Sequence, residues 1–295
     1  MANEKFGEVH IAQEYSDVID PNLYADSTMQ PYDTFNPHVL QRAGGRFIPR
    51  VTGGGAEDPK NTVGAYDYTD ASDELIQIVA NNFHRPAVRI YNKQIESVSY
   101  DIKEENVANL IKGTIRPSFN GEALACLVHE GTVLTADTAT VLTKDNIGDY
   151  LLTLRKKLRD AGAEGDRLIV STAIYSVIRQ AAPNEFVEDA KNDMAATGKV
   201  GYWKGWKIKE SNVFTFRGTA KYYDYSGTLQ TVDLTKVDLI AYDWEKFHID
   251  VLPNNLDVVD GRPTFPGVAV VSDFAFGYRV ANPKCVLVKL NSAEE

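Results

Sequence analysis

The residue pattern of this 295-residue chain predicts an α+β fold with more than one packed body. Three observations predict it. A helix, a strand, a second helix and a hairpin succeed one another between Thr143 and Asn212. Segments with the two-residue alternation of half-buried strands dominate the region around residues 45–91 and the region after residue 213. The length itself is large for one simple core and suits two compact lobes, or one body with arms.

Taken in order, residues 1–44 are polar and sparsely periodic, and Pro21, Pro31 and Pro37 break any long element. They also carry Tyr15, Tyr24, Tyr32, Phe35, Val39 and Leu40, many apolar groups for a free tail. Parts of this segment are therefore expected to lie on a surface, its own or a neighbour's. Gly45 to Pro49 reads as an edge strand, and Gly53 to Pro59 as a flexible link. Glu74 to Ala80 and Ala87 to Tyr91 read as strands around a polar turn at Asn81 and Asn82. A long two-stranded excursion with little apolar mass is marginal alone, so it is expected to lie on something else.

Asp101 to Gly131 is the longest helical stretch, with stripes at Val107, Leu110, Ile111 and at Leu124, Leu127, Val128. Pro117 interrupts it and Asn120-Gly121 loosens it, which predicts two helices or one kinked helix. Thr143 is a plausible N-cap and Gly162 a stop for a helix that buries Ile147, Leu151, Leu154 and Leu158, with Tyr150 alongside. Leu168-Ile169-Val170 is a buried strand. Ser171 or Thr172 caps a second helix with Ala173, Ile174, Val177, Ile178 and Ala181 inward, ended by Pro183. A loop and a glycine-punctuated aromatic hairpin follow.

Phe214 to Asp233 is Tyr-rich and alternating, with a turn at Ser226-Gly227. Val237 to Ala241 is a buried strand, and Lys246 to Leu252 alternates through Phe247, Ile249 and Val251 toward a turn region at Asn254-Asn255. The last block supplies two strands broken at Asn282-Pro283. No repeat at solenoid or propeller period is present.

The bulk numbers exclude several classes. Hydrophobic content of 43% with 24% charge is that of a folded chain. A net charge of −10 argues against nonspecific nucleic-acid binding as the main task. The opening MANEKFGEVH lacks the apolar core of a signal peptide, and no run of about 18 apolar residues offers a membrane span. Cys126 and Cys285 sit in apolar surroundings and read as two buried thiols rather than a disulfide framework.

No motif for catalysis, cofactor or metal binding survives inspection. Gly55 to Thr62 superficially suggests a phosphate loop, but Pro59 stands before the lysine and Asn61 after it. His129-Glu130 begins like a zinc-protease motif and stops there; His10, His38, His84, His129 and His248 are scattered singly. Ser171 follows an apolar strand without the glycines of a nucleophile elbow, so capping explains it better. Cys126 has only His129 nearby to activate it, and packing is the better reading. Asp243, Glu245, Asp250, Asp257 and Asp260 near aromatics could suit a glycosidase, but strand alternation in an acidic chain gives the same composition. Arg155, Lys156, Lys157 and Arg159 are the best polyanion contact, although helix-dipole complementarity already accounts for cations in those turns.

The order of Leu168 to Ser171, Asn184 to Phe186, Gly198, Gly201, Gly205 and Ser211-Asn212 resembles the axial domain of tailed-phage major capsid proteins of the HK97-like fold. The ending Phe276, Gly277, Tyr278, Arg279, Val280, Asn282 and Pro283 is similar to the family's return into the axial sheet. The resemblance implies an N-terminal arm (1–44), an E-loop with flanking strands (45–100) and a peripheral-domain spine helix (101–131). It further implies an axial domain (132–212), peripheral-domain strands with a β-hairpin and the return to the axial domain (213–282), and a C-terminal axial strand and tail (283–295). The function it implies is self-assembly into hexamers and pentamers of an icosahedral virion shell around phage DNA, formed in the host cytoplasm. It implies a portal protein as a partner, weak contact with packaged DNA, and no enzyme activity or cofactor. The short arm leaves little room for a built-in scaffold, so a separate scaffolding protein is expected. Some relatives crosslink a lysine to an asparagine; no residue here is assigned that role. Alternatives are an encapsulin-type compartment shell, a β-rich carbohydrate-active or carbohydrate-binding protein, and another phage component such as a tail or decoration protein.

Overall fold

The computed structural model describes residues 38–39, 45–52, 72–85, 87–91, 118–182, 201–260 and 267–291. Its described part is mixed helix and sheet, organised by a six-stranded sheet. That sheet joins β6 (Thr132–Val133), β15 (Val286–Leu290), β12 (Val237–Tyr242), β7 (Arg167–Val170), β9 (Trp206–Glu210) and β8 (Tyr202–Trp203) in this spatial order. The central strands are apolar almost without interruption because both faces are covered. Ile169, Ile240, Val286 and Val288 face one core. Leu168, Val170, Leu239, Ala241 and Leu287 face the other.

The second core is closed by α2 (Ile147–Asp160) and α3 (Thr172–Ala181). Helix α2 buries Ile147, Leu151, Leu154 and Leu158, as their spacing predicts. Gly162 ends it at φ +78°, with its N–H donating to Arg159 O and the Ala163 N–H to Leu158 O. This pairing is the Schellman arrangement, which satisfies two otherwise orphaned carbonyls. Thr143 is not the N-cap: the helix begins at Ile147, and the Asn146 side chain folds back to accept from the Thr143 N–H. Ser171 does cap α3, accepting from Ile174 N. Tyr175 joins the inward stripe, whereas Ala173 is exposed. The helix is capped at Ala182; Pro183 and Asn184 to Phe186 lie outside the described residues.

The glycine-punctuated hairpin is β8–β9, joined by Lys204 and Gly205 at φ 52° and 81°. Two successive positive φ values make this a type I′ turn, the form that matches strand twist. Trp206 fills the core beneath it, its Nε1 donating to Leu151 O at 3.1 Å.

The first core surrounds helix α1, residues 118–130, in which every residue from Phe119 to Leu127 is buried. The described helix runs through Asn120-Gly121 without a break, and Arg217 and Ala220 pack on the side to which a Gly121 side chain would point. Residues 101–117 lie outside the described residues. Against α1 pack β13 (Phe247–Asp260) and β14 (Gly267–Val280), paired antiparallel from Phe247↔Val280 to Asp260↔Val268. Asn254-Asn255 is not a turn: the strand continues, and the register shifts between Leu252 and Asn255 as at a bulge. Strands β10 (Thr219–Tyr223) and β11 (Leu229–Asp233) form a separate hairpin, preceded by the short helix α4 (Val213–Phe216) where alternation predicted strand. The remaining sheet adds β1 (His38–Val39), parallel to β13 at Asp250 and Val251, and β4 (Asn82–His84) and β5 (Ala87–Tyr91), antiparallel to β14.

The sequence expectation for residues 74–91 fails in its pairing. β3 (Ser72–Val79) pairs along its whole length with β2 (Gly45–Thr52), not with β5. The two-stranded excursion therefore consists of β2 and β3, and the predicted link at residues 53–59 lies outside the described residues.

Candidate functional site

Nearly every residue that could carry chemistry is committed to structure. Ser171 caps α3. Cys126 is fully buried, and burial, with the Glu130 carboxylate nearby, raises its thiol well above the ordinary range. A protonated, enclosed thiol is no nucleophile. His129 shares a 2.9 Å hydrogen bond with the Tyr222 hydroxyl. Cys285 is likewise a free, buried thiol.

Two of the five clustered carboxylates serve the fold. Asp243 accepts from Glu245 N at 3.0 Å and from Glu164 N at 3.1 Å, tying the loop after α2 to the end of β12. Asp250 is fully buried and receives Arg46 Nε at 2.8 Å. Asp257 and Asp260 lie farther along β13, with side chains outside the described residues. Asp243 and Asp250 are both buried and engaged by different partners. Among the described residues no His, Cys, Asp and Glu group has the makings of a metal site. The phosphate-loop look-alike at residues 55–62, and His10, lie outside the described residues.

Two of the four clustered cations are engaged. Arg155 donates to Lys204 O at 3.3 Å and occupies the space a Gly205 side chain would need. Lys157 pairs with Asp137 at 3.0 Å. Lys156 and Arg159 are exposed.

What stands out is the β2–β3 ribbon and its mounting. Ile76 and Ile78 of β3 are buried, whereas Leu75 is 62% exposed and Phe47 of β2 is 59% exposed. One face thus sits on the body and the other presents apolar side chains. The mounting has three fixings. Arg46 reaches the buried Asp250 on β13. Gly277 of β14 lets the β3 backbone approach so closely that an added Cβ would lie 2.6 Å from Val79 O. Asn82, itself buried, donates to Tyr223 O and Phe276 O and accepts from Tyr223 N.

Sequence reasoning missed these fixings, and also the Glu122 cluster. Glu122 lies within the buried run of α1, its Oε1 2.7 Å from His84 Nε2 and its Oε2 accepting from the Tyr278 hydroxyl at 3.1 Å. A glutamate inside the otherwise apolar GEALACL was the one available signal, since a buried carboxylate needs partners. His248, near Arg46, is held down to about 4 by burial and by the Arg46 and Lys246 charges.

No family model matches the chain, and no curated protein sequence does. Solved structures do. A chain in the capsid structure of cyanophage P-SCSP1u aligns over 88% of this chain and 87% of its own, with TM-score 0.61 and 14% identity. One in the mature capsid of bacteriophage PhiM1 covers 90% and 89%, with TM-score 0.58 and 14% identity. A chain of Mycobacterium phage Cain covers 94% of both, with TM-score 0.58 and 13% identity. The chain has the fold of these phage proteins. No described helix is long and apolar enough to cross a membrane.

Proposed function

We propose that the chain is the major capsid protein of a tailed phage and acts by self-assembly into the icosahedral shell of the virion. The observation that carries this is the likeness to phage capsid chains along nearly the full length of both partners, 88% and 87% in one case and 90% and 89% in another. A whole-chain match supports a shared architecture rather than a borrowed module. The β2–β3 ribbon adds support, because exposed Phe47 and Leu75 on a two-stranded projection are costly in isolation and are offset by burial on a neighbour.

In this reading the ribbon belongs to the E-loop (45–100), residues 1–44 to an arm, and α1 to the spine helix of the peripheral domain. Residues 132–212, completed by β12 and β15, form the axial domain, and the β13–β14 hairpin belongs to the peripheral domain. The partners are other copies of the chain in hexamers and pentamers, a separate scaffolding protein and a portal. Packaged DNA would meet an acidic subunit and stay loosely held, with Lys156 and Arg159 as the local exceptions. The role is structural, without turnover, and assembly takes place in the host cytoplasm. The carbohydrate-active alternative is less favoured, since two of its five carboxylates, Asp243 and Asp250, are spent on backbone amides and Arg46.

The test is to express the chain alone and with its scaffold, then to apply sedimentation velocity and negative-stain microscopy to the fast fraction. Closed shells, or capsomers that close on adding scaffold, are the expected result. A chain that stays monomeric at high concentration under both conditions overturns the proposal.

A further inference from the structure

A cleft of about 310 Å³ opens between α1, β4 and the α4–β10 segment, lined by His84, Ser118, Glu122, Arg217, Thr219 and Lys221. Its floor is the Glu122–His84 pair, in which the one carboxylate already faces the imidazole and the Tyr278 hydroxyl. Its lip carries the Arg217 guanidinium, hydrogen-bonded to Ser118 Oγ, and the exposed Lys221 ammonium. The Lys221 side chain makes no hydrogen bond or ion pair among the described residues, and its cross-strand neighbour Thr231 is uncharged. A free ammonium beside a guanidinium at a concave mouth favours an anionic guest.

The surroundings say what kind of guest. Tyr223, 45% exposed, lies two residues beyond Lys221 on the same face of β10, and the exposed Leu229 is its register partner on β11. Phe216, 74% exposed, immediately precedes Arg217. Exposed aromatic and aliphatic groups around an Arg/Lys pair fit a protein partner, since protein interfaces are enriched in aromatics and Arg. The chain carries 41 acidic against 31 basic residues, so another copy of it supplies carboxylates in excess.

We propose that this cleft docks an acidic side chain of a second copy of the chain, its carboxylate bridging Arg217 and Lys221 while neighbouring apolar groups cover Phe216 and Tyr223. The proposal rests on the shell reading above and adds to it a specific contact.

The test uses full-length protein, half of it ¹⁵N-labelled, assembled with scaffold and treated with a zero-length carbodiimide. This reagent condenses the Lys221 amine with an adjacent carboxylate, forming an amide as the activated oxygen leaves with the urea. The expected result is a mixed-isotope peptide pair containing Lys221 in particles and not in unassembled protein. The Arg217→Gln, Lys221→Gln double variant is expected to need a several-fold higher concentration to assemble, with an unchanged melting midpoint when unassembled. Particles whose Lys221 crosslinks join only like isotopes, or a double variant that assembles at the normal concentration, overturn the docking site and leave the shell reading intact. A variant that assembles normally but loses affinity for a duplex oligonucleotide makes the cleft a phosphate contact and also overturns it. Unmodified protein that never assembles overturns both proposals before any crosslink is read.

Discussion

Strands β7 and β3 are both rich in branched apolar residues, yet they are held in different ways. All four residues of β7 are buried, between two cores that the chain supplies from its own helices. β3 buries Ile76 and Ile78 and leaves Leu75 outward, with β2 its partner along its whole length. The sheet around β7 is stabilised by the burial of many side chains. The ribbon depends on a few fixings: an ion pair, a missing Cβ and an asparagine. A region of the first kind should be lost only with the whole fold, whereas one of the second kind should open alone.

The largest expected effect is therefore in the sheet. Trp206→Ala removes a fully buried indole and leaves Leu151 O without its donor, and should cost about 3–5 kcal/mol in urea unfolding. Its exchange-protection loss should extend across β7, β9 and β12 together. Next comes Gly277→Ala. The new Cβ meets Val79 backbone at 2.6 and 2.9 Å, which cannot rotate away, and overpacking of this kind costs about 1–3 kcal/mol. Here hydrogen exchange should rise in residues 72–79 more than in β7. Equal increases in both would mean that the ribbon and body open as one unit, and the contrast would fail. Arg46→Met should act the same way, because it strips a charged partner from the buried Asp250.

This difference also explains what could be read from the sequence. The four inward residues of α2, the Ser171 cap, the Gly162 stop and the β8–β9 turn follow from local periodicity and φ preference, and the structure has them all. Pairing of β3 was misread because a strand's partner is set by distant residues: Asn81-Asn82 looks like a turn but anchors to the β10–β11 hairpin and β14. Asn254-Asn255 misled for the same reason, since β14 holds β13 extended through it. The fixings were illegible because each joins residues far apart in the chain, 141 positions for Asn82 and Tyr223 and 204 for Arg46 and Asp250. The cleft combines His84, Glu122 and Lys221 from three separate stretches, and no spacing rule connects them.

Acid should separate the junction from the hairpin loop. His248 has a folded value of about 4 against 6.5, so between those pH values the unfolded chain binds the extra proton. Stability from this group is fully present above about pH 6.5 and falls as pH drops toward 4. Asp224 behaves differently. Desolvation would raise it, but hydrogen bonds from Ser226, Gln230 and Thr228 lower it to about 2 from 3.8. Its contribution is present above about 3.8 and is lost as pH falls through 2. Melting curves from pH 7 to 2 should thus show two windows, the upper flattened in His248→Asn and the lower in Asp224→Asn. A His248→Asn protein with an unchanged slope between pH 6.5 and 4 would remove the histidine from the account.

The smallest effect on folding should come from the outer face of the ribbon, and there the contrast is sharpest. Phe47→Ser and Leu75→Ser change side chains that are already more than half exposed in the isolated chain, so unfolding free energy should move by no more than about 0.5 kcal/mol. If the exposed face is the ribbon's purpose, the same substitutions should raise the concentration required for assembly. The reason is that each copy would lose apolar area covered only by a neighbour, at roughly 25 cal/mol per Å². Light scattering against protein concentration reads that threshold directly. Substitution of Leu154 to Ala should give the reverse signature, a loss of about 2–5 kcal/mol in the monomer with assembly of the surviving folded fraction little changed. Should the ribbon variants destabilise the monomer as much as Leu154→Ala does, Phe47 and Leu75 would be serving the chain's own core, and the ribbon would lose its standing as a surface built for another copy.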